Sequence, residues 1–197
     1  MLFRSLFGTD NQGVQNCFNE INHLRDGVHY GVPALHEQDV KINAVKPAIQ
    51  LPHPWTRSVN GIAFLPQDFP DKSLRGHGIG CEYNGKLLVR FTYHEVEGQL
   101  QGATFLLSKP NYPNSDENFL GPINIHVTKS GEIYVGSIHD SGWLGGLNTG
   151  SIVKLKLSKR TQNGIRDIQA TKEGFRLDFF QPRSEEHTSE LQSHLNL

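Results

Sequence analysis

The sequence predicts an all-β protein built from antiparallel sheets. From Ile62 onward, short apolar runs are separated at close spacing by Gly, Pro, Asn and Asp, which is typical of strands joined by tight turns. The chain holds 20 Gly and 10 Pro against a single Met, and helical periodicity is scarce. A strand, turn and strand unit then repeats, as expected of β-propeller blades. A β-sandwich predicts similar strands, so this spacing leaves both architectures open.

Composition limits the classes of function that need consideration. With 197 residues, 36% hydrophobic and 20% charged, the chain has a globular composition and enough length for one to one and a half domains. The net charge of -1 comes without a basic stripe, which argues against nucleic-acid binding driven by phosphate neutralisation. No apolar run is long enough for a membrane span or a signal-peptide core. Cys17 and Cys81 leave one disulfide or two free thiols equally open.

Alternating or continuous apolar character places the strands in order along the chain. Two hairpins stand out. Asn84-Gly85 predicts a type I′ turn, because both central residues of that turn need positive φ. Gly131 predicts a left-handed residue in the turn of a second hairpin over 127–136. The predicted strands are 58–65, 78–83, 86–93, 101–107, 123–128, 133–137, 152–157, 165–170 and 174–180.

An ordered series of short motifs resembles a known family. A Gly-bracketed acidic loop at 8–13 is followed by Asn-Glu-Ile-Asn within 19–24 and by Gly-x-x-Tyr-Gly-x-Pro at 27–33. Pro54-Trp55, Gly121-Pro122 and Gly-Glu-Ile-Tyr-Val-Gly at 131–136 follow in the same order. Over residues 6–158, this series resembles the glucose/sorbosone dehydrogenase-like β-propellers, which include sugar dehydrogenases dependent on pyrroloquinoline quinone (PQQ).

The resemblance implies an architecture and a reaction. Residues 1–160 would be the C-terminal part of such a propeller, about three antiparallel four-stranded blades of a six-bladed ring. It implies a sugar or aldehyde oxidoreductase that uses PQQ and Ca²⁺, is periplasmic or secreted, and is incomplete as given. The family's catalytic His would lie upstream of Met1, so the catalytic residues are unknown. The alternative is a non-catalytic propeller that binds carbohydrate or protein.

The positions that face the cofactor in the family depart from its pattern. Asn84 stands where the resemblance implies a Lys, and Pro122-Ile123-Asn124 stands where it implies two Arg. The cofactor-facing candidates are therefore Asn84, Asn124 and Trp143. Because the family holds its quinone with basic side chains, the resemblance implies that both cationic contacts are missing here.

Metal and substrate candidates come from the same resemblance and from one unusual loop. Glu20, the Tyr30 carbonyl and Asp39 are the candidate Ca²⁺ ligands, since Ca²⁺ takes six to eight oxygens. The alternative is that Glu20 is a solvated acid and Tyr30 a packed aromatic. The candidate substrate-binding residues are Trp55, Arg57, His139 and Asp140.

Trp143 lies among glycines in the loop 139–150, where the backbone can approach a ligand and the indole offers a flat apolar face. The same Trp143 could instead plug the gap between two blades. Asp10 and Asn11 are placed in a loop, as ion ligands or as an Asx turn.

Other motifs lack residues or spacings that their usual functions require. His23, His29 and His36 have spacings that do not match helical or knuckle zinc sites. The Gly-His-Gly-Ile-Gly run at 76–80 imitates a phosphate loop but lacks its Lys-Ser/Thr and its helix. A Gly-x-Ser-x-Gly elbow is absent from the sequence, so serine hydrolase chemistry has no support.

The C-terminal end changes character. Residues 161–182 resemble the start of a β-sandwich domain that stops after two strands, so we expect Phe175, Leu177 and Phe179 to be partly exposed. Residues 183–197 lose the Gly, Pro and aromatic content and resemble the translation of a sequencing adapter, so we expect them to be an artefact with no part in the fold.

Overall fold

The computed structural model of the chain is all-β, as the sequence predicts. It describes residues 5–11, 18–30, 45–53, 55–108, 120–139, 149–156 and 163–182. Within these ranges the helical content is one 3-10 turn, Lys72–Leu74. The strands are β1 (Leu6–Asp10), β2 (Asn19–Leu24), β3 (Ile49–Leu51), β4 (Val59–Phe64), β5 (Gly78–Glu82), β6 (Leu87–Val96), β7 (Gln99–Leu106), β8 (Gly121–Val127), β9 (Ile133–His139), β10 (Thr149–Leu155), β11 (Ile165–Thr171) and β12 (Gly174–Phe179).

The strands form four antiparallel sheets in which each strand pairs with the next along the chain. We call them blade one (β1-β2-β3), blade two (β4-β5-β6-β7), blade three (β8-β9-β10) and the C-terminal hairpin (β11-β12). Blade two has the four strands predicted for a propeller blade. The described parts of blades one and three have three strands each.

The blades meet through their early strands. A Cβ atom on Gly61 of β4 would lie 2.8 Å from both the Cα of Asn124 and the carbonyl oxygen of Ile123 on β8. On the other side of β4, the Thr9 hydroxyl of β1 donates to the Asn60 carbonyl at 2.9 Å. Because β4 and β8 each begin a sheet and approach at main-chain distance, blades two and three radiate from a common inner edge, as in a β-propeller.

Two apolar cores fill the spaces between blades, with blade two lying between them. Successive side chains of a strand point to opposite faces, so β6 supplies residues to both cores. One core joins blades one and two and contains the buried residues Ile21, Ala48, Ile49, Leu51, Val59, Leu87, Val89 and Phe91. The other joins blades two and three and contains Leu65, Phe69, Leu74, Ile79, Cys81, Leu88, Ile125, Ile133 and Val135.

The glycines of the Gly-His-Gly-Ile-Gly run serve packing. A Cβ atom on Gly78 would lie 2.0 Å from the Phe91 ring, and one on Gly80 would lie 3.1 Å from Val89. Glycine at these two positions of β5 therefore leaves room for the large side chains of β6. Residues 78–80 of the run therefore belong to a buried strand.

The described connections of blades two and three lie on two opposite sides of the blades. We call the side that carries the turn 83–86 and the segment 52–58 the upper face; Gly121 joins it beside the Tyr83 ring. The opposite side, the lower face, carries the loop 65–77 and the turn 128–132, where a Cβ atom on Gly131 would lie 2.6 Å from Pro70. Gly131 has φ +81°, which confirms its predicted left-handed conformation.

Two local predictions are wrong. The hairpin at 83–86 exists, but the left-handed residue is Lys86, with φ 51°, and neither Asn84 nor Gly85 has positive φ. The turn is therefore not type I′. The Glu82 carboxylate accepts the Gly85 N–H, and this contact holds the turn in another form. Asp10 was predicted in a loop, but it ends β1 opposite Glu20, because Leu6–Asp10 pairs with β2 as a half-buried strand of blade one.

The C-terminal hairpin lies on blade two and leaves apolar side chains in solvent. Phe175 is 76% exposed and Leu177 is 41% exposed, as expected for a pair of strands without a second sheet. Phe179 is partly buried. Cys81 is buried with a free thiol, and burial raises its pKa to about 12. The described part of the chain contains no helix with the length and apolar character to cross a membrane.

Candidate functional site

The upper face collects most of the described residues that the sequence marks for ligand binding. Trp55 and Arg57 lie in the segment that leads into β4, and Asn84 lies in the neighbouring turn. The Trp55 carbonyl is 3.3 Å from the position that a Cβ atom on Gly85 would occupy, so the two segments are in contact. His139 ends β9 on the same face, opposite Thr149.

A buried carboxylate that the sequence analysis did not mark joins these two segments. Glu82 is fully buried, and its Oε1 accepts the N–H groups of Arg57 and Ser58, both at 2.7 Å. Its Oε2 accepts the N–H of Gly85. Three main-chain donors satisfy the buried charge, and in return Glu82 fixes the backbone beside Trp55, Arg57 and Asn84. An acid within an otherwise apolar strand is the sequence signal that could have identified it.

Asn124 lies at the inner edge of blade three. Its side chain is exposed, and its Oδ1 accepts the Ile125 N–H at 2.8 Å. The same oxygen is 3.0 Å from where a Cβ atom on Gly61 would be, so the amide sits where β8 meets β4. The position is central, but the group is a neutral amide.

The candidate Ca²⁺ ligands are spread along blade one. Glu20 is buried near the upper end of β2, where Asp10 is its partner across the sheet. Tyr30 lies towards the other end of β2, since its hydroxyl donates to the His23 carbonyl at 2.7 Å and accepts the Arg25 N–H at 2.9 Å. In the part of the chain that the structure describes, no group of three or more His, Cys, Asp or Glu side chains converges.

The described residues therefore do not complete the six to eight oxygens that Ca²⁺ takes, and the calcium site stays a prediction. Asp39, Asp140 and Trp143 were also predicted as site residues and lie outside the described ranges.

The lower face carries a polar cleft that the sequence analysis missed. It lies between the loop 65–77, the second half of β6 and β11, and has a volume of about 360 Å³. Alternation along β6 explains its origin, because Arg90, Thr92 and His94 share the face of the strand that β11 covers. The lining residues are Gln67, Arg75, Gly76, His77, Thr92, Tyr93, His94, Arg166 and Asp167.

Arg90 anchors the C-terminal hairpin beneath this cleft. Its NH1 donates to the Arg166 carbonyl at 2.6 Å and its NH2 to the Ile165 carbonyl at 3.0 Å. The guanidinium carbon lies 4.1 Å from the Phe105 ring centroid and 5.2 Å from that of Phe180, so two aromatic rings pack against the cation. Burial lowers the pKa of Arg90 to about 10, which leaves it charged at neutral pH.

His77 and Asp167 complete the polar groups around Arg90. The Arg90 NH1 donates to Nδ1 of His77 at 3.0 Å. Burial, together with the Arg90 charge, lowers the pKa of His77 to about 4. Burial by itself would raise the pKa of Asp167, but the hydrogen bonds from His94, at 2.8 and 2.9 Å, together with the nearby Thr92 hydroxyl and Ile168 N–H, outweigh it and hold that pKa below its usual value.

A cavity of about 600 Å³ lies between blades two and three and contains none of the predicted site residues. Leu65, Leu74, Ile79, Leu88, Phe105 and Phe180 give it an apolar lining, with Arg90 at one side. It is a gap between blades with few polar groups to orient a substrate, so the upper face remains the candidate site.

Comparison with known proteins gives a likeness of fold. No family model matches the chain, and no curated protein gives a significant match. Among solved structures, it is similar to a Thermus thermophilus protein described as a "putative oxidoreductase (glucose dehydrogenase)", with a TM-score of 0.55 and 16% sequence identity. The match covers 78% of this chain and 42% of that one, so the chain spans less than half of its neighbour's length. The likeness confirms the fold as an all-β partial propeller.

Proposed function

We propose that this chain is part of a sugar or aldehyde oxidoreductase of the glucose/sorbosone dehydrogenase type, with its ligand site on the upper face. The observation that carries the proposal is the convergence of Trp55, Arg57, Asn84 and His139 on one face of blades that share an inner edge. The motif series and the structural neighbour, described as an oxidoreductase, support it. The same resemblance supports a periplasmic or secreted location.

In this proposal the chain's own residues bind and orient the substrate. Trp55 would offer a flat apolar face for a sugar ring, and Arg57 and His139 would donate hydrogen bonds to its hydroxyl groups. Glu82 would position Arg57 through the main chain. PQQ, where bound, would supply the electron acceptor for hydride removal.

The described residues do not fit PQQ at the two positions that can be compared. An anionic quinone needs cations, and Asn84 and Asn124 provide neutral amides there. We therefore assign no redox step to this chain. The same observation favours a second candidate function, a propeller that binds carbohydrate without oxidising it.

Dye reduction by the full-length protein separates the two candidates. The protein is supplied with PQQ and Ca²⁺, and reduction of an artificial acceptor is followed with aldoses and aldehydes, while calorimetry measures aldose binding. The oxidoreductase proposal predicts substrate-dependent dye reduction, with roughly tenfold weaker kcat/KM in Arg57→Gln because a charge-assisted hydrogen bond is lost.

Lys129→Gln removes an equal charge from an exposed turn on the lower face and serves as the matched control. Aldose binding without dye reduction would replace the first candidate with the second. Absence of both activities would refute both.

A further inference from the structure

The lower-face cleft combines several hydrogen-bond donors with an excess of positive charge. Arg75 and Arg166 line it, and the buried Arg90 lies behind it. The carboxylate that lines the cleft is Asp167, and both of its oxygens already accept a hydrogen bond from Nε2 of His94. Asp178 lies on β12 and pairs with Arg166 and Arg176 at 3.3 and 3.6 Å. Asp71 caps the 3-10 turn by accepting the Ser73 N–H.

His77 adds a donor of fixed tautomer. A guanidinium can only donate, so Nδ1 of His77 must accept from Arg90 and the ring proton must lie on Nε2. The lowered pKa of His77 keeps the ring neutral at physiological pH. His77 therefore presents one N–H donor, and Arg90 sets its orientation.

A second donor in the cleft is the Thr92 hydroxyl, which lies beside Asp167. Thr92 is 3% exposed, and its hydroxyl makes no hydrogen bond of normal geometry with any of the described residues, although it is close enough to Asp167 to help lower that carboxyl's pKa. A buried hydroxyl without a well-placed acceptor is unfavourable. An anion bound in the cleft would offer this hydroxyl a well-placed acceptor.

Arg75 is held in place at the rim. Its Nε donates to the Phe69 carbonyl at 2.7 Å, which fixes the plane of the guanidinium. The opposite wall is Arg166, whose main chain is fixed by Arg90. The Arg166 guanidinium is paired with Asp178 at 3.3 Å. Two guanidinium groups across a small cleft suit the oxygens of phosphate or carboxylate, which arginine binds in a two-pronged manner.

We propose that the cleft between the loop 65–77, β6 and β11 binds a small oxyanion, a phosphate or carboxylate group, through Arg75, Arg166, His77 and Thr92. This site is on the opposite face from the candidate sugar site and does not depend on the proposed function. Because β11 belongs to the C-terminal hairpin and the loop belongs to blade two, the bound anion would also link the two.

Calorimetric titration of the purified protein with inorganic phosphate, and separately with acetate, tests the proposal. Binding of either anion supports an oxyanion site, and the tighter of the two identifies whether phosphate or carboxylate is its source. We expect Arg166→Gln and Arg75→Gln each to weaken binding roughly tenfold or more, since each removes a charge-assisted hydrogen bond.

Lys172→Gln is the matched control, because it removes one exposed positive charge from the turn of the same hairpin, outside the cleft. Thr92→Val keeps the side-chain shape, so we expect weaker anion binding without a loss of thermal stability. The proposal is overturned if neither anion binds the unmodified protein, or if Lys172→Gln weakens binding as much as the arginine variants do. Binding that persists unchanged in both arginine variants would overturn it as well.

Discussion

At the scale of single residues, buried polar groups decide the local structure that the apolar pattern leaves open. The Asn-Gly pair predicts the position of the hairpin at 83–86, but its form depends on the Glu82 carboxylate, whose partners Arg57 and Ser58 are distant in sequence. Turn preferences are local, so sequence reasoning finds the turn and misses the contact that selects its type.

Replacing Glu82 by Gln should destabilise the protein by about 3 kcal/mol, because charge-assisted hydrogen bonds to a buried group are lost. Glutamine has no charge. Its NH₂ group would also face at least one of the three main-chain N–H donors that bind the carboxylate in the parent protein, and two donors cannot form a hydrogen bond with each other. Urea unfolding followed by circular dichroism measures the change. Glu132→Gln is the control, because Glu132 is an exposed carboxylate that contacts Lys154 and should leave the unfolding midpoint nearly unchanged. Equal midpoints for both variants would contradict the role given to Glu82.

His77 should make stability depend on pH between about 6.5 and 4. Its pKa is about 4 in the folded protein against an ordinary value of 6.5, so in this window the unfolded chain binds the extra proton and acidification favours unfolding. The free energy of unfolding should therefore fall as the pH is lowered from 6.5 towards 4.

His77→Asn keeps an acceptor for Arg90 but does not titrate, so it should flatten this part of the profile, measured by urea unfolding across the pH range. His126→Asn, at an exposed position, should keep the parent profile. An unchanged slope in His77→Asn would show that other groups cause the pH dependence.

At the scale of elements, apolar periodicity predicts the strands of blade two, blade three and the hairpin to within a few residues. β5 is predicted over 78–83 and observed over Gly78–Glu82; β9 is predicted over 133–137 and observed over Ile133–His139. The three strands of blade one were not predicted as strands, because β1 has only two large apolar residues, β2 is mostly polar and β3 has only three residues. Hydrogen bonding between these three strands stabilises an extended conformation that their composition alone does not predict.

The hairpin's contact with blade two was also beyond sequence reasoning, because Arg90 and Arg166 are 76 residues apart. Alternation shows that Arg90, Thr92 and His94 share one face of a strand, but it cannot show which segment covers that face.

Replacing Asp167 by Ala should loosen the C-terminal hairpin without unfolding the blades. The change removes the carboxylate that His94 binds, so local opening of β11 and β12 should become roughly tenfold more frequent. Hydrogen exchange of the hairpin amides, read by mass spectrometry, measures the opening. Asp26→Ala, at an exposed turn of blade one, should leave hairpin exchange at the parent rate. Protection of the hairpin that survives in Asp167→Ala would contradict this contact's importance.

At the scale of the whole molecule, the arrangement depends on how closely the inner strands approach. Gly61 has no room for a Cβ atom, because the atoms that it would meet at 2.8 Å are main-chain atoms of blade three. Main chain cannot move aside as a flexible side chain does, so this contact fixes the distance between blades two and three. Sequence patterns indicate blades but not which glycine lies between them.

Gly61→Ala should destabilise the protein by about 1–3 kcal/mol, the usual cost of overpacking. Gly136→Ala is the matched control, since its added Cβ would have no described neighbour nearer than 4.0 Å. Urea midpoints of the two variants give the comparison. If Gly61→Ala unfolds at the same midpoint as Gly136→Ala, the close approach of β4 and β8 is not a feature of the folded protein.

A crystal structure of the full-length protein soaked with an aldose tests the central claim most directly. We predict that β4 and β8 line a common axis and that the sugar lies on the upper face within hydrogen-bonding distance of Arg57 or His139. Sugar bound only elsewhere on the molecule would contradict the proposed site, and two sheets stacked without a shared axis would contradict the fold on which it rests.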